Sequence, residues 1–240
     1  MSAALKVKVC GVTRPEDAAL AVELGADLLG INFWPQSPRA VSAAQAREVA
    51  DAVRGRVLLA GVFVDQPPAF VAEAAAAAGL DFVQLHGDEA PETLPELARA
   101  GVAPDRVIRA FRVGASFDAA GAIAPWGESW AFLFDAARPG MYGGTGVEWS
   151  WRRVAHAAPG RRVLVAGGVA PGRLRALLDA VGDDWRPWGI DVCSGVESAP
   201  GHKDAGKLRA LFEEVGTMDD RREDMGRDAQ VRDEEAPTPA

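Results

Sequence analysis

At 240 residues, with 48% hydrophobic and 25% charged side chains, the chain has an ordinary globular composition and suffices for one large α/β domain or two small ones. Its net charge of −8 argues against nucleic acid or an anionic membrane surface as a partner. No apolar run is long enough to span a bilayer and the first ten residues lack a signal-peptide core, so the expected compartment is the cytoplasm; two cysteines and no Cys/His cluster of zinc spacing exclude a disulfide framework and predict no metal.

The first stretch with chemical character is Val7-Lys8-Val9-Cys10-Gly11-Val12-Thr13, a short apolar strand ending in a thiol and a glycine. A helix start follows at once: Thr13 can cap, Pro15 suits the first turn, and Glu16 and Asp17 favour its positive end. From residue 6 to residue 215 one pattern repeats, a β-branched apolar run, a glycine-rich or polar turn and an alanine-rich helical stretch. Strands are expected over 6–10, 27–33, 57–64, 81–85, 106–111, 130–135, 162–166 and 188–192. Helices are expected over 15–24, 42–53, 67–78, 91–100, 117–123, 148–157, 171–181 and 203–214. Ser42, Asp65, Asp88 and Asp204 are placed to cap the helices they precede, and residues 183–188, with Trp185 and Trp188, read as an elongated connection.

Runs such as Val57-Leu58-Leu59-Ala60-Gly61-Val62-Phe63-Val64 are apolar throughout, which suits a parallel strand buried on both faces. Eight βα units in this length fit a closed (β/α)8 TIM barrel. A doubly wound open sheet usually has fewer strands and a Gly-rich dinucleotide turn after the first; Cys10-Gly11-Val12-Thr13 is no such turn. The expected organisation is one α/β barrel over residues 1–216. Residues 217–240 hold eight acidic and four basic side chains, a net of −4 that leaves −4 for residues 1–216, and with almost nothing apolar they read as a disordered acidic tail.

In a (β/α)8 barrel the loops after the strands form the face that carries chemistry. Cys10 follows the first strand and Asn32-Phe33-Trp34-Pro35-Gln36-Ser37-Pro38-Arg39 the second. The fourth ends in Gln84-Leu85-His86-Gly87, the sixth in Phe134-Asp135-Ala136 before a loop containing Gly143-Gly144-Thr145-Gly146. The seventh ends in Ala166-Gly167-Gly168-Val169 and the eighth in Asp191-Val192-Cys193-Ser194-Gly195-Val196-Glu197. Glycines after strands seven and eight let backbone N–H groups approach a ligand where barrels often bind phosphate, although each also serves as a tight turn. Cys10 and Asp135 across one barrel mouth are a base and an acid for proton transfer; singly, each reads as a buried small residue or a turn residue. Arg39 is either a solvated charge or a fork for a carboxylate, and His86 either orients a substrate, assists Cys10 or bonds to backbone.

In their order along residues 8–204, these segments, with Gly61-Val62-Phe63-Val64 and Pro200-Gly201-His202-Lys203-Asp204, resemble the phosphoribosylanthranilate isomerase family, (β/α)8 enzymes of tryptophan biosynthesis. The resemblance implies an Amadori rearrangement of N-(5-phosphoribosyl)anthranilate to 1-(2-carboxyphenylamino)-1-deoxyribulose 5-phosphate, without metal or cofactor, on a small-molecule phosphosugar substrate. It implies Asp135 as general acid, Cys10 as general base and Arg39 as receptor of the anthranilate carboxylate. It also implies Asp191 and His86 at the substrate, and Gly167, Gly168, Ser194 and Gly195 at the phosphate. The chain departs from the family in Trp149-Ser150-Trp151, where the central residue is usually aspartate, in Cys193, where a serine is usual, and in its acidic tail.

Two other readings stand beside this one. A thiol hydrolase needs His86 within reach of Cys10, and a non-catalytic phosphosugar-binding barrel needs neither Cys10 nor Asp135. An indole-forming barrel wants a lysine at its strand ends, and none is read there. Monomer and homodimer are equally compatible with the helices. Strands one and eight adjoin in a closed barrel, so Cys10 and Cys193 are expected to face each other.

Overall fold

The computed structural model describes residues 4–218 except 115, 137–153, 156, 180 and 183–184. Eight parallel strands close into a barrel in chain order. They are β1 (Lys6–Val9), β2 (Leu28–Asn32), β3 (Leu58–Phe63), β4 (Phe82–Leu85), β5 (Val107–Val113), β6 (Ala131–Ala136), β7 (Arg162–Ala166) and β8 (Gly189–Val192). The closing seam pairs β1 with β8, Val9 opposite Val192. Between them run α1 (Pro15–Glu23), α2 (Ala43–Val53), α3 (Pro68–Ala78), α4 (Thr93–Arg99), α5 (Ala119–Ile123) and α6 (Leu174–Asp179); α7 (205–218) follows β8. The helix expected over 148–157, the Gly143–Gly146 loop and residues 149–151 lie largely or wholly outside the described residues.

Each strand serves two cores, because alternate side chains point to opposite faces. The outward set, such as Val7, Val9, Leu29, Ile31, Phe63, Val83, Phe132 and Val165, packs on helix residues that include Ala18, Val49, Val71, Leu97 and Leu177. The inward set begins apolar, with Leu28, Ala60, Phe82, Ile108, Ala131 and Leu164 in one buried cluster capped by Trp130 and Trp188. Phe82 and Trp130 pack with ring centroids 4.1 Å apart and planes tilted by 30°, and Trp188 meets Trp130 edge-on at 5.3 Å. Two residues further along, the same face turns polar on three of the strands, at Lys8, Gln84 and Asp191. This gradient fills the barrel's amino-terminal half with hydrocarbon and leaves its carboxyl-terminal mouth for chemistry.

Helix ends follow the expected capping only in part. Ser42 accepts from the Gln45 amide in a capping box, and the Asp204 carboxylate accepts from the Lys207 amide at 2.9 Å. Thr13 does not cap α1; its hydroxyl donates to the Gly201 carbonyl at 2.6 Å, tying the first loop to the last. Asp65 and Asp88 do not cap either: Asp65, with a left-handed φ of 51°, accepts from the Asp88 amide at 2.7 Å, and the helices start later, after Pro67 and Glu92. α7 continues to residue 218, two residues past the barrel boundary expected at 216, and Met218 packs into the core; residues 219–240 lie outside the described residues. A short antiparallel hairpin, β9 (Glu197–Ala199) and β10 (His202–Lys203), was not expected from the sequence and carries part of the site. Among the described residues no helix is long and apolar enough to cross a membrane.

Candidate active site

A cavity of about 490 Å³ opens at the carboxyl ends of the strands. Every site residue expected from the sequence lines it: Cys10, Arg39, His86, Asp135, Asp191, Gly167, Gly168, Ser194 and Gly195. They converge because they end strands, or sit in the loops just after them, on one rim of a closed barrel.

Cys10 is buried, its amide donating to the Val192 carbonyl at 2.8 Å. A hydrogen bond from the Cys193 thiol holds the Cys10 thiol well below its ordinary range; burial opposes this, while Lys8, Lys203 and His86 add to it. The Cys193 thiol is pushed upward in return, by that hydrogen bond and by burial. Thiolate character is thus concentrated on Cys10. Space for it comes from β2, where a Cβ on Gly30 would lie 2.7 Å from the Cys10 sulfur and 3.0 Å from the Lys8 ammonium.

Lys8 lies two residues before Cys10 on the same inward face and is fully buried. Its Nζ stands 2.6 Å from an Asp191 carboxylate oxygen. Burial works against the ammonium, yet Asp191 and Cys10 together hold it charged, above the usual lysine range. At Asp191 burial, helped by the neighbouring Cys10 charge, outweighs the opposing pull of Lys8 and His86 and raises its carboxyl to about 6. The lysine absent from the strand ends is therefore present inside β1. It was overlooked because the strand reads as an apolar run; its two-residue offset from Cys10 was the available signal.

On the opposite wall Asp135 is about one-third exposed, and its Oδ2 lies 3.6 Å from His86 Nε2. His86 Nδ1 is 2.9 Å from the Gln84 amide nitrogen. With that amide donating, Nδ1 accepts and Nε2 carries the hydrogen facing Asp135, a tautomer assigned from this bond. His86 is thus bonded to Gln84 and faces Asp135 rather than Cys10. Arg112, beside Asp135 in the β5–β6 register, also lines the cavity and donates to the His86 carbonyl at 3.4 Å. It was not singled out in the sequence, although it is an inward-facing position at a strand end.

Arg39 uses Nε and Nη2 in a bidentate pair with Glu197, at 2.8 and 2.6 Å. Its Nη1 has no hydrogen-bond partner among the described residues and remains available at the cavity. Gly11, at a φ of 71°, makes room for it: a Cβ there would overlap Arg39 Cδ. Burial alone would raise the Glu197 carboxyl, but hydrogen bonds from Arg39 and Lys203 hold it at about 2. Lys203, fully buried on β10, donates to Glu197 at 2.9 Å and to the Cys10 carbonyl at 2.5 Å. Glu197 and Lys203 thus brace the β2 loop and the end of β1 from the hairpin. Both lie in segments recognised in the sequence, but only their contacts reveal the brace.

Gly167 and Gly168 take left-handed φ values of 85° and 74°, a backbone that exposes successive N–H groups at the end of β7. Ser194 and Gly195 open a 3₁₀ turn opposite them, packed so closely that a Cβ on Gly195 would overlap the Val169 carbonyl oxygen. Both turns line the cavity on its β7–β8 side, and Gly167 directly follows Ala166, the register partner of Asp135. Among the described residues no group of three or more His, Cys, Asp or Glu side chains is placed to hold a metal ion.

Residues 7–214 match the model of the family described as N-(5'-phosphoribosyl)anthranilate (PRA) isomerase. The N-(5'-phosphoribosyl)anthranilate isomerase of Rubrobacter xylanophilus is 40% identical over 207 residues, 86% of this chain and 96% of that protein. The crystal structure of phosphoribosyl anthranilate isomerase from Thermus thermophilus is 40% identical and superposes with a TM-score of 0.75, covering 89% of this chain and 100% of that one. A phosphoribosyl anthranilate isomerase solved in complex with reduced 1-(o-carboxyphenylamino)-1-deoxyribulose 5-phosphate is 31% identical, with a TM-score of 0.73 over 89% of this chain and 99% of that one. The chain belongs to the N-(5'-phosphoribosyl)anthranilate isomerase family.

Proposed function

We propose that the chain catalyses the Amadori rearrangement of N-(5-phosphoribosyl)anthranilate, with Asp135 as general acid and Cys10 as general base. One observation carries the assignment of roles. A buried thiol stabilised as thiolate by a neighbouring thiol and two buried ammonium groups shares one cavity with a carboxyl on the far wall. Family membership supplies the substrate class; the residues below are the machinery that this chain offers it.

The substrate's phosphate is held by the N–H groups of the Gly167-Gly168 and Ser194-Gly195 turns, and the anthranilate carboxylate by Arg39 Nη1, whose fork is fixed by Glu197. Asp135 donates its proton to the furanose ring oxygen, the C1–O bond breaks, and the nitrogen lone pair forms an iminium. His86 Nε2 and Arg112 then face the carboxylate left behind. The iminium acidifies the proton on C2, so a thiolate of moderate basicity suffices to remove it. Cys10 takes that proton, and its sulfur changes from anion to neutral thiol while Lys8 keeps its charge against Asp191. The resulting enolamine gains a proton at C1 and gives up the proton of its C2 hydroxyl, becoming the ketone. Asp191, beside Lys8 and Cys10, is positioned for the substrate amine and sugar.

The fluorescence of phosphoribosylanthranilate, made in situ from anthranilate and phosphoribosyl pyrophosphate, decays as it is consumed. Purified chain is expected to accelerate that decay with saturable kinetics. Folded protein that binds the substrate without turnover would favour a non-catalytic phosphosugar-binding barrel.

A further inference from the structure

We infer that Cys10 and Cys193 form a two-thiol modification site, at which a hydroperoxide converts the pair into a reversible disulfide across the β1–β8 seam. Its effect on activity rests on the reading of Cys10 as the base; its chemistry does not.

The seam places the two residues side by side. Val9 pairs with Val192, so the next positions on the two strands are Cys10 and Cys193, both on the inward face by the two-residue alternation. Adjacent strands lie about 4.8 Å apart, within the roughly 4.4–6.8 Å between Cα atoms that a disulfide spans. One buried ammonium ties the two backbones together: Lys203 Nζ lies 2.5 Å from the Cys10 carbonyl and 3.5 Å from that of Cys193. Among the described residues the Cys193 thiol has Glu197 as a hydrogen-bond partner, at a long 3.9 Å, so little holds its sulfur away from Cys10. Both sulfurs border the open cavity, where a small hydroperoxide can reach them. The proposed isomerisation has no use for Cys193 as a thiol, since a hydroxyl would donate the same hydrogen bond.

The chemistry balances with one co-reactant. The Cys10 thiolate attacks the peroxide O–O bond, an S–O bond forms, and the departing oxygen is protonated to water or alcohol, leaving Cys10 as a sulfenic acid. The Cys193 sulfur then attacks Cys10 Sγ; the S–S bond forms, the S–O bond breaks, and hydroxide leaves as water with the Cys193 proton. Two electrons pass from the thiols to the peroxide. An external dithiol reverses the change by exchange. Without a second thiol, further peroxide carries the sulfenic acid to sulfinic acid, which reductant does not restore.

The test treats the full chain with hydrogen peroxide, alkylates remaining thiols and maps the peptides by mass. The expected result is loss of both alkylatable thiols, a linked Cys10–Cys193 peptide lighter by two hydrogens, loss of most isomerase activity, and recovery of thiols and activity with dithiothreitol. In Cys193→Ser the same treatment is expected to leave Cys10 as sulfinic acid, with no recovery toward that variant's own starting activity. The inference is overturned if the wild type yields no linked peptide, whether its thiols stay alkylatable or Cys10 ends as sulfinic acid. Equal recovery in Cys193→Ser overturns it too. Peptide mapping needs no turnover, so an inactive chain that forms the link refutes the isomerase reading alone, and an active chain that does not form it refutes this one alone.

Discussion

The Lys8 ammonium and the Asp191 carboxylate meet at 2.6 Å in the middle of the barrel, directly beneath the thiol of Cys10. Removing one partner of a buried pair strands the other without solvent, at a cost of about 3–5 kcal/mol, whereas replacing both with apolar residues can be close to neutral. Lys8→Met is therefore expected to lower stability by about that amount in urea unfolding, and Lys8→Met with Asp191→Leu to regain much of it. In either variant Cys10 loses a neighbouring cation, so the acidic limb of the kcat/KM profile for Lys8→Met moves to higher pH. An unmoved limb would detach Lys8 from the thiolate.

The pH dependence of stability has two opposite components. The folded state holds Glu197 at about 2, below its unfolded value, so its contribution is present above about pH 4.3 and is lost as pH falls toward 2. Asp191 is raised to about 6, so the native state binds the extra proton and stability falls as pH rises from about 3.9 to 6. Urea unfolding across pH 2–7 is expected to show a maximum between these windows. Glu197→Gln is expected to flatten the acidic slope, and Asp191→Asn the slope toward pH 6.

Arg39 is held as a fork by Glu197, and its free Nη1 is assigned to the anthranilate carboxylate. A hydrogen bond to a charged group contributes about 1.5–3 kcal/mol, which predicts a KM higher by roughly 10- to 150-fold in Arg39→Ala. Arg39→Lys is expected to restore little, because a point charge cannot keep the bidentate pair while meeting a second carboxylate. Steady-state kinetics with an unchanged KM in Arg39→Ala would remove the residue from substrate recognition.

At the phosphate end, Gly195→Ala drives a methyl group into the Val169 carbonyl and pushes the two turns apart. Weaker binding is expected to show as a higher KM and weaker inhibition by inorganic phosphate, with the thermal transition lowered only modestly. Unchanged phosphate inhibition would place the phosphate elsewhere.

The barrel and its rim were legible in the sequence because both rest on local pattern. Apolar runs mark strands buried on two faces, and a chemical residue at the end of such a run has one place to go. Cys10, His86 and Asp135 were found that way. Lys8 was not, since a charged residue inside an apolar run looks like a solvated interruption until the seam brings Asp191 beside it. Glu197 and Lys203 acquire meaning only from a hairpin of three and two residues, too short to leave a periodic signal. Thr13, Asp65 and Asp88 failed as caps for the same reason: partners distant in sequence took their side chains or amides.

The central claim is the division of labour between Cys10 and Asp135, and the kcat of two substitutions tests it most directly. In the phosphoribosylanthranilate fluorescence assay, Cys10→Ala and Asp135→Asn are each expected to lower kcat by at least about a hundredfold, the lower range for a general acid or base. Their circular dichroism and thermal transitions should show that the barrel remains folded. Near-wild-type kcat in either folded variant would contradict the role given to that residue.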